Sequence, residues 1–332
     1  MIPVLFIMGM PRSGSTLLER LIGGFTNTTV IGEQQLVWKQ GFLENTLCTC
    51  GNPVLCCPFY QRARRNAMEL DPDLAGTADL ALFARYMVHT LEMHYAHRLR
   101  GVPQMYLRGR MSNRSVNWPR FRHALLTWYS AVSQAGDGSV IVDSSKGPAY
   151  AHLLGTIPGL NVGYIHLVRD SRAVAFSRTR TKRRPEVLRS VETLPTETPW
   201  RTAINWDVNL ALSSLLSTRR PNRVIQLEYE AMVRQPEAAL AAVANLATRL
   251  GMPQLGALDF NGMPARYHSV AGNPIRFDRS PLRIEVDDEW RTRMKPTDRA
   301  VVTALTAPLL LRHHLLGARA GRPRGKTLRP SR

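Results

Sequence analysis

Residues 9–18 read GMPRSGSTLL, directly after the apolar run IPVLFIM (2–8) and directly before a stretch with helical apolar spacing. A strand, a glycine-bounded turn and a helix start make a phosphate cradle, because the first amides of a helix have no partner inside it and sit at the positive end of its dipole. A Walker A loop needs G-x-x-x-x-G-K-S/T, with a lysine for the outer phosphates and a hydroxyl for magnesium. Here Ser15 follows Gly14, and the only cation in the loop is Arg12. The loop is built for an oxyanion, but not for that of an ordinary nucleotide triphosphatase.

The surrounding pattern sets the fold. Apolar, β-rich runs at 4–8, 28–31, 139–143, 161–168 and 223–229 are each followed by helical periodicity. Continuous Val/Ile/Leu runs alternating with helices are the signature of a parallel sheet covered on both faces. The expected architecture is α/β: a P-loop-like three-layer fold with a central parallel sheet and a mostly helical insertion at about 34–135. We expect one domain over 1–315, a second helical stretch at 199–218, and a disordered basic tail at 316–332, where Gly, Pro and Arg dominate.

Length and charge bound the function. The 332 residues suffice for one large α/β core, and the ordinary composition argues against wholesale disorder. A formal charge of +19 points to an anionic partner, yet only five of the 44 cations are lysine, so much of the excess is an arginine bias. No run approaches the ~18 apolar residues of a membrane span. The start has no basic n-region, so a cytoplasmic protein is expected, with peripheral membrane contact left open. All four cysteines crowd into CTCGNPVLCCPF, as Cys48, Cys50, Cys56 and Cys57. Adjacent Cys56 and Cys57 do not easily reach one tetrahedral ion, and no C-x-x-C follows, so no metal is expected first: a local disulfide or free thiols are preferred, with a metal site the lesser alternative.

In a sheet of this kind ligands sit at the carboxyl ends of the strands. Those ends carry Pro11-Arg12-Ser13-Gly14-Ser15-Thr16, then Glu33 in GEQQ, then Lys146 in DSSKGP, then Arg169 and Ser177 in RDSRAVAFS. With these residues the chain resembles the sulfotransferases that use 3′-phosphoadenosine 5′-phosphosulfate (PAPS), and it is most similar to the actinobacterial and tyrosylprotein-type branches. Their 5′-phosphosulfate loop runs Pro, Arg or Lys, Ser, Gly and two Ser or Thr, as residues 11–16 do. Their 3′-phosphate motif is an arginine at a strand end with a serine eight residues later, as Arg169 and Ser177 are. LEYEAMVRQPEAAL resembles the Y-E-x-L/M-x-x-x-P element, and AGNPIRF, VDDEW and the cysteine segment resemble bacterial members.

The resemblance implies sulfuryl transfer from PAPS, as co-substrate, to a hydroxyl or amine of a small-molecule, carbohydrate or glycolipid acceptor, with no metal required. Arg12 and the loop would hold the 5′-phosphosulfate, and Arg169 and Ser177 the 3′-phosphate, with Arg276 a second candidate there. Tyr229 would lie against the adenosine or pack in the core, and Trp290 is read as a ligand contact or a core anchor. Lys146 resembles the lysine of an N-K-D-P step and would meet the charge that grows on the leaving phosphate. Glu33 resembles the base of a C-G-E-E step and would take the acceptor proton, the alternative being a helix cap. The histidine of the cytosolic branch has no counterpart, because that strand ends in Asp143-Ser144-Ser145, and His152 and His268 are read as structural or surface residues. Two rival classes stand beside this reading. A P-loop kinase-like phosphotransferase lacks its Gly-Lys pair, and a nucleic-acid binder built on the arginine-rich stretch 98–122 lacks a recognised motif, so no specific nucleic acid is expected. The oligomeric state and the acceptor are not legible.

Overall fold

A computed structural model describes residues 1–71, 80–96, 117–187, 192–259, 264, 266–280, 282 and 284–317. Most of the arginine-rich stretch and the tail from 318 onward lie outside the described residues. The expected tail boundary at 316 moves slightly, because the last helix runs to Gly317.

Five strands form one sheet: β1 (Ile2–Gly9), β2 (Thr28–Gly32), β3 (Val140–Lys146), β4 (Leu160–Val168) and β5 (Val224–Glu228). All pair in parallel, in the order β2-β3-β1-β4-β5. The five apolar runs of the sequence are these five strands. The helices among the described residues are α1 (Ser15–Ile22), α2 (Pro58–Leu70), α3 (Leu80–Ala96), α4 (Trp118–Ala135), α5 (Pro148–Leu154), α6 (Ser171–Thr179), α7 (Pro199–Arg219), α8 (Tyr229–Arg234), α9 (Pro236–Arg249), α10 (Trp290–Arg293) and α11 (Pro296–Gly317).

Strand periodicity sorts the core into two layers. In β1, Val4, Phe6 and Met8 face a cluster with Trp38, Tyr60, Trp128, Tyr129 and Tyr150, while Leu5 and Ile7 face one with Leu18, Ile22, Val243 and Leu246. Successive side chains of a strand point to opposite faces, so an all-apolar strand buries both. The first layer is covered by α2 to α5, the second by α1, α8 and α9. Trp38 and Phe42 come from a π-helical turn at Val37–Leu43 and meet Trp128 of α4 at ring distances of 4.8 and 5.5 Å. The helical material between β2 and β3 is thereby locked to the sheet through aromatic packing.

With β1 central, the chain crosses to one side for β2 and β3 and to the other for β4 and β5. The topological switch therefore lies beside the end of β1, where such sheets bind ligands. Glu33 directly follows β2, Lys146 ends β3, Arg169 directly follows β4 and Tyr229 directly follows β5. One rim collects them all.

Candidate active site

Gly14 is the N-cap of α1, with φ of +94°, and offers no side chain to the helix, so the first-turn amides are left for a ligand. A Cβ at Gly14 would lie 2.4 Å from the Tyr229 ring, so only glycine fits between the turn and that ring. Arg12 also adopts a left-handed backbone, φ +76°, as does Lys146, φ +67°. Such conformations cost of order 1–3 kcal/mol for non-glycine residues and collect at functional sites.

Next to this loop lies a cavity of about 590 Å³, lined by Pro11, Arg12, Gly14, Ser15, Thr16, Glu33, Lys146, Arg169, Ser177 and Tyr229. The volume falls within the ~300–1,000 Å³ of small-molecule sites. Two predicted residues stand apart. Ser13 is buried beside His166 and Trp206, in a small pocket behind the loop. Arg276 points away from the cavity: it is fully buried, donates to the carbonyls of Gly272 and Val270, and pairs with Glu186 at 3.6 Å. It holds the 270–276 segment together instead of facing a phosphate.

Arg12 Nε donates to Ser177 Oγ at 3.1 Å, and its Nη1 is buried without a hydrogen-bond partner. Burial first, then the neighbouring Arg178, Arg169 and Arg180, lower its pKa from 12.5 to about 10. The arginine is still charged at neutral pH, and a bound anion would offset both its burial and the repulsion of its neighbours. Arg169 donates to the Arg12 carbonyl at 3.1 Å, pairs with Asp287 at 3.1 Å, and lies over the Tyr229 ring at 4.3 Å. Ser177 and Arg169 thus meet through Arg12 and do not touch each other directly. Lys146 and Glu33 form an ion pair at the mouth. Glu33 precedes a 3-10 turn but makes no side-chain cap, which removes the capping role considered from sequence.

Several lining residues carry no recognised motif. The run SRTRTKRR (177–184), from the last turn of α6 onward, adds Arg178, Arg180, Lys182 and Arg184. Burial, then Arg12 and Arg180, lower the pKa of Lys182. Seven cations line the cavity against the four carboxylates of Glu33, Glu186, Glu285 and Asp287, so the site as a whole favours a polyanion. The charge run itself was the only available signal. Glu19 of α1 was also missed: fully buried, it accepts from Ser144 Oγ and, at 2.6 Å, from Tyr267 OH, and burial raises its pKa to about 7. Asp143 of β3 is buried away from the cavity and accepts from Tyr129 and Ser145. Trp290 is a core anchor, with Arg172 stacked over it at 4.6 Å.

Strand order and loop define a P-loop-like α/β protein with a cation-rich rim. The family model described as "Sulfotransferase family" matches residues 3–253, and the chain belongs to that family. No curated protein matches it. Among solved structures it is similar to the sulfotransferase domain of the Synechococcus PCC 7002 olefin synthase, with 18% identity, coverage of 92% of this chain and 94% of that one, and a TM-score of 0.49. It is also similar to the sulfotransferase domain from the curacin biosynthetic pathway, with 20% identity, coverage of 93% and 98%, and a TM-score of 0.48.

Proposed function

We propose that the protein transfers a sulfuryl group from PAPS to a hydroxyl or amine of a small-molecule, carbohydrate or glycolipid acceptor, without a metal. The observation that carries this reading is the Arg12 guanidinium, buried beside the loop with an unpartnered Nη1 and an excess of cations around it. A planar fork of donors suits phosphosulfate oxygens and replaces the Walker lysine.

Each residue then has a task. Arg12 and the amides at the start of α1 hold the 5′-phosphosulfate. Arg169 meets the 3′-phosphate, with Tyr229 below it against the adenosine, and Ser177 fixes Arg12. As the acceptor oxygen or nitrogen bonds to sulfur, the S–O bond to the 5′-phosphate breaks and its electron pair stays on the phosphate. Lys146 stabilises that charge, and Glu33 takes the acceptor proton. Their ion pair keeps both groups at the point where sulfur is exchanged. Leu36 and Gln40, from the first turns of the helical insertion, line the same cavity, which supports reading the insertion as the acceptor side.

Thermal-shift titration tests the donor. 3′,5′-ADP should stabilise the protein more than ATP with magnesium or an oligonucleotide does. Preference for ATP with magnesium would favour phosphoryl transfer instead. Labelled PAPS with pooled acceptors then identifies the product.

A further inference from the structure

Outside the cavity, three of the four cysteines gather with one histidine. Cys48, Cys50 and Cys57 come from the loop between β2 and α2, and His268 is brought 211 residues along the chain from Cys57. Their ligand atoms all lie within 4.8 Å of one another. The individual edges are 3.5 Å for Cys50 to Cys57, 3.7 Å for Cys57 to Cys48, 3.8 Å for Cys48 to His268 Nδ1, and 3.6 Å for Cys57 to His268 Nδ1. A tetrahedral zinc with Zn–S of about 2.3 Å and Zn–N of about 2.0–2.1 Å requires S···S edges of about 3.8 Å and S···N edges of about 3.6 Å. Four of the six edges lie within about 0.3 Å of those figures, the other two are no longer than 4.8 Å, and a simple disulfide pair does not call for two further ligand side chains around it.

We infer that Cys48, Cys50, Cys57 and His268 form a structural Cys₃His site for a zinc ion. Three thiolates and an imidazole select a soft or borderline cation over magnesium or calcium. Cys56 is exposed and takes no part, so the adjacent pair that argued against a metal in the sequence contributes a single ligand. The imidazole is oriented for ligation: the Phe59 ring stacks on it at 4.4 Å, with the planes 4° apart. The peptide around His268 is already held, with Tyr60 OH donating to its carbonyl at 2.6 Å and Thr49 Oγ1 accepting from Ser269 N at 3.0 Å. The ion would pin segment 267–272 to the cysteine loop. That segment runs past Gly32, where a Cβ would collide with Ser269, to Gly272 in the cavity wall. Zinc would therefore set one wall of the site without touching a substrate.

The test uses the full chain, purified without chelator and freed of any tag, and needs neither donor nor acceptor. Elemental analysis should find one zinc per chain. Exchange for Co²⁺ should give the intense visible absorption of a tetrahedral ion together with thiolate-to-cobalt charge transfer. Cys56→Ser should keep the metal, and Cys57→Ser and His268→Ala should lose it or bind it far more weakly. Because those two variants can also fail to fold, the cobalt spectrum of the unaltered protein decides the question by itself. Absence of that spectrum in reduced protein, a Cys50–Cys57 disulfide found by mass, or loss of metal in Cys56→Ser would overturn the assignment.

Discussion

The ammonium of Lys146 and the carboxylate of Glu33 form an ion pair across the mouth of the cleft, with side chains only 10% and 14% exposed. Neighbouring strands β2 and β3 deliver the two residues, so their separation is set by the sheet and not by flexible loops. Replacing Glu33 by Gln keeps the shape and most of the hydrogen bonding but removes the proton acceptor. Turnover at saturating PAPS should fall by about 10²–10⁴-fold, with 3′,5′-ADP affinity little changed. Since Glu33 makes no helix cap, any fall in melting temperature should come from the lost ion pair with Lys146 alone. Near-normal kcat would dismiss Glu33 as the base.

Removing Lys146 acts on the other half of the same event. Lys146→Met should lower kcat more than it weakens 3′,5′-ADP, because the charge it meets develops only as the S–O bond breaks. A loss confined to the donor Kd would reassign Lys146 to ground-state binding. The double variant with Glu33→Gln should lose less than the product of the two single losses, as expected for side chains in contact.

In the proposed function Arg169 is the residue that would separate PAPS from nucleotides that lack the 3′-phosphate. A charge-assisted bond contributes roughly 1.5–3 kcal/mol, so Arg169→Ala should weaken 3′,5′-ADP by about 10- to 150-fold and 5′-AMP far less. The arginine also supports the Arg12 carbonyl and the Tyr229 ring, and this supplies a control. Equal losses for both nucleotides in calorimetric titration would mean that it only positions the loop.

Glu19 makes stability depend on pH in a direction opposite to most carboxylates. Burial raises its pKa from 4.5 to about 7, so folding favours the protonated form. Its favourable contribution is complete below about pH 4.5 and is lost as pH rises through about 7, a swing on the order of 3 kcal/mol. Asp143, raised by burial to about 6, acts in the same sense. Melting curves of the unaltered protein and of Glu19→Gln should show the variant gaining relative stability between about pH 5 and about pH 8. A constant difference across that range would place the ionised form in the folded protein throughout.

The cluster of Arg178, Arg180 and Lys182 around Arg12 predicts a salt-sensitive donor site. Lys182→Ala should weaken 3′,5′-ADP several-fold at low ionic strength and less in high salt, since screening shrinks to about 3 Å at 1 M. Binding measured over a salt series checks this. Salt-independent loss would point to a direct, buried contact.

What could be read from the residues divides along physical lines. All five strands and the loop at 11–16 were legible, because continuous apolar runs and a glycine turn leave local signatures. Glu33, Lys146 and Arg169 were legible because each adjoins a strand end, and Tyr229 was named only through its Y-E element. The cavity's remaining walls were not. Asp287 and Gly272 lie in irregular segments without period, and Lys182 stands in a charge run that resembles any solvated surface. Arg276 shows the converse error: from the sequence it is a second candidate for the 3′-phosphate, and its partner Glu186 reveals it as buried structure. His268 fails for the same reason, since nothing local to it points to cysteines two hundred residues away.

Residues 266–268 run alongside β2, with Val30 N donating to the Arg266 carbonyl at 2.8 Å, His268 N donating to the Val30 carbonyl at 2.8 Å, and Tyr267 bridging Val30 in parallel. This short ribbon is a sixth lane at the edge of the sheet, and it begins beyond residue 253, where the family match stops. Cutting the chain at that boundary would therefore strip the cover from an exposed β edge, the usual starting point for strand-to-strand aggregation. A fragment chosen by family limits alone would present that edge to every other copy of itself, whereas a chain kept past residue 268 covers it.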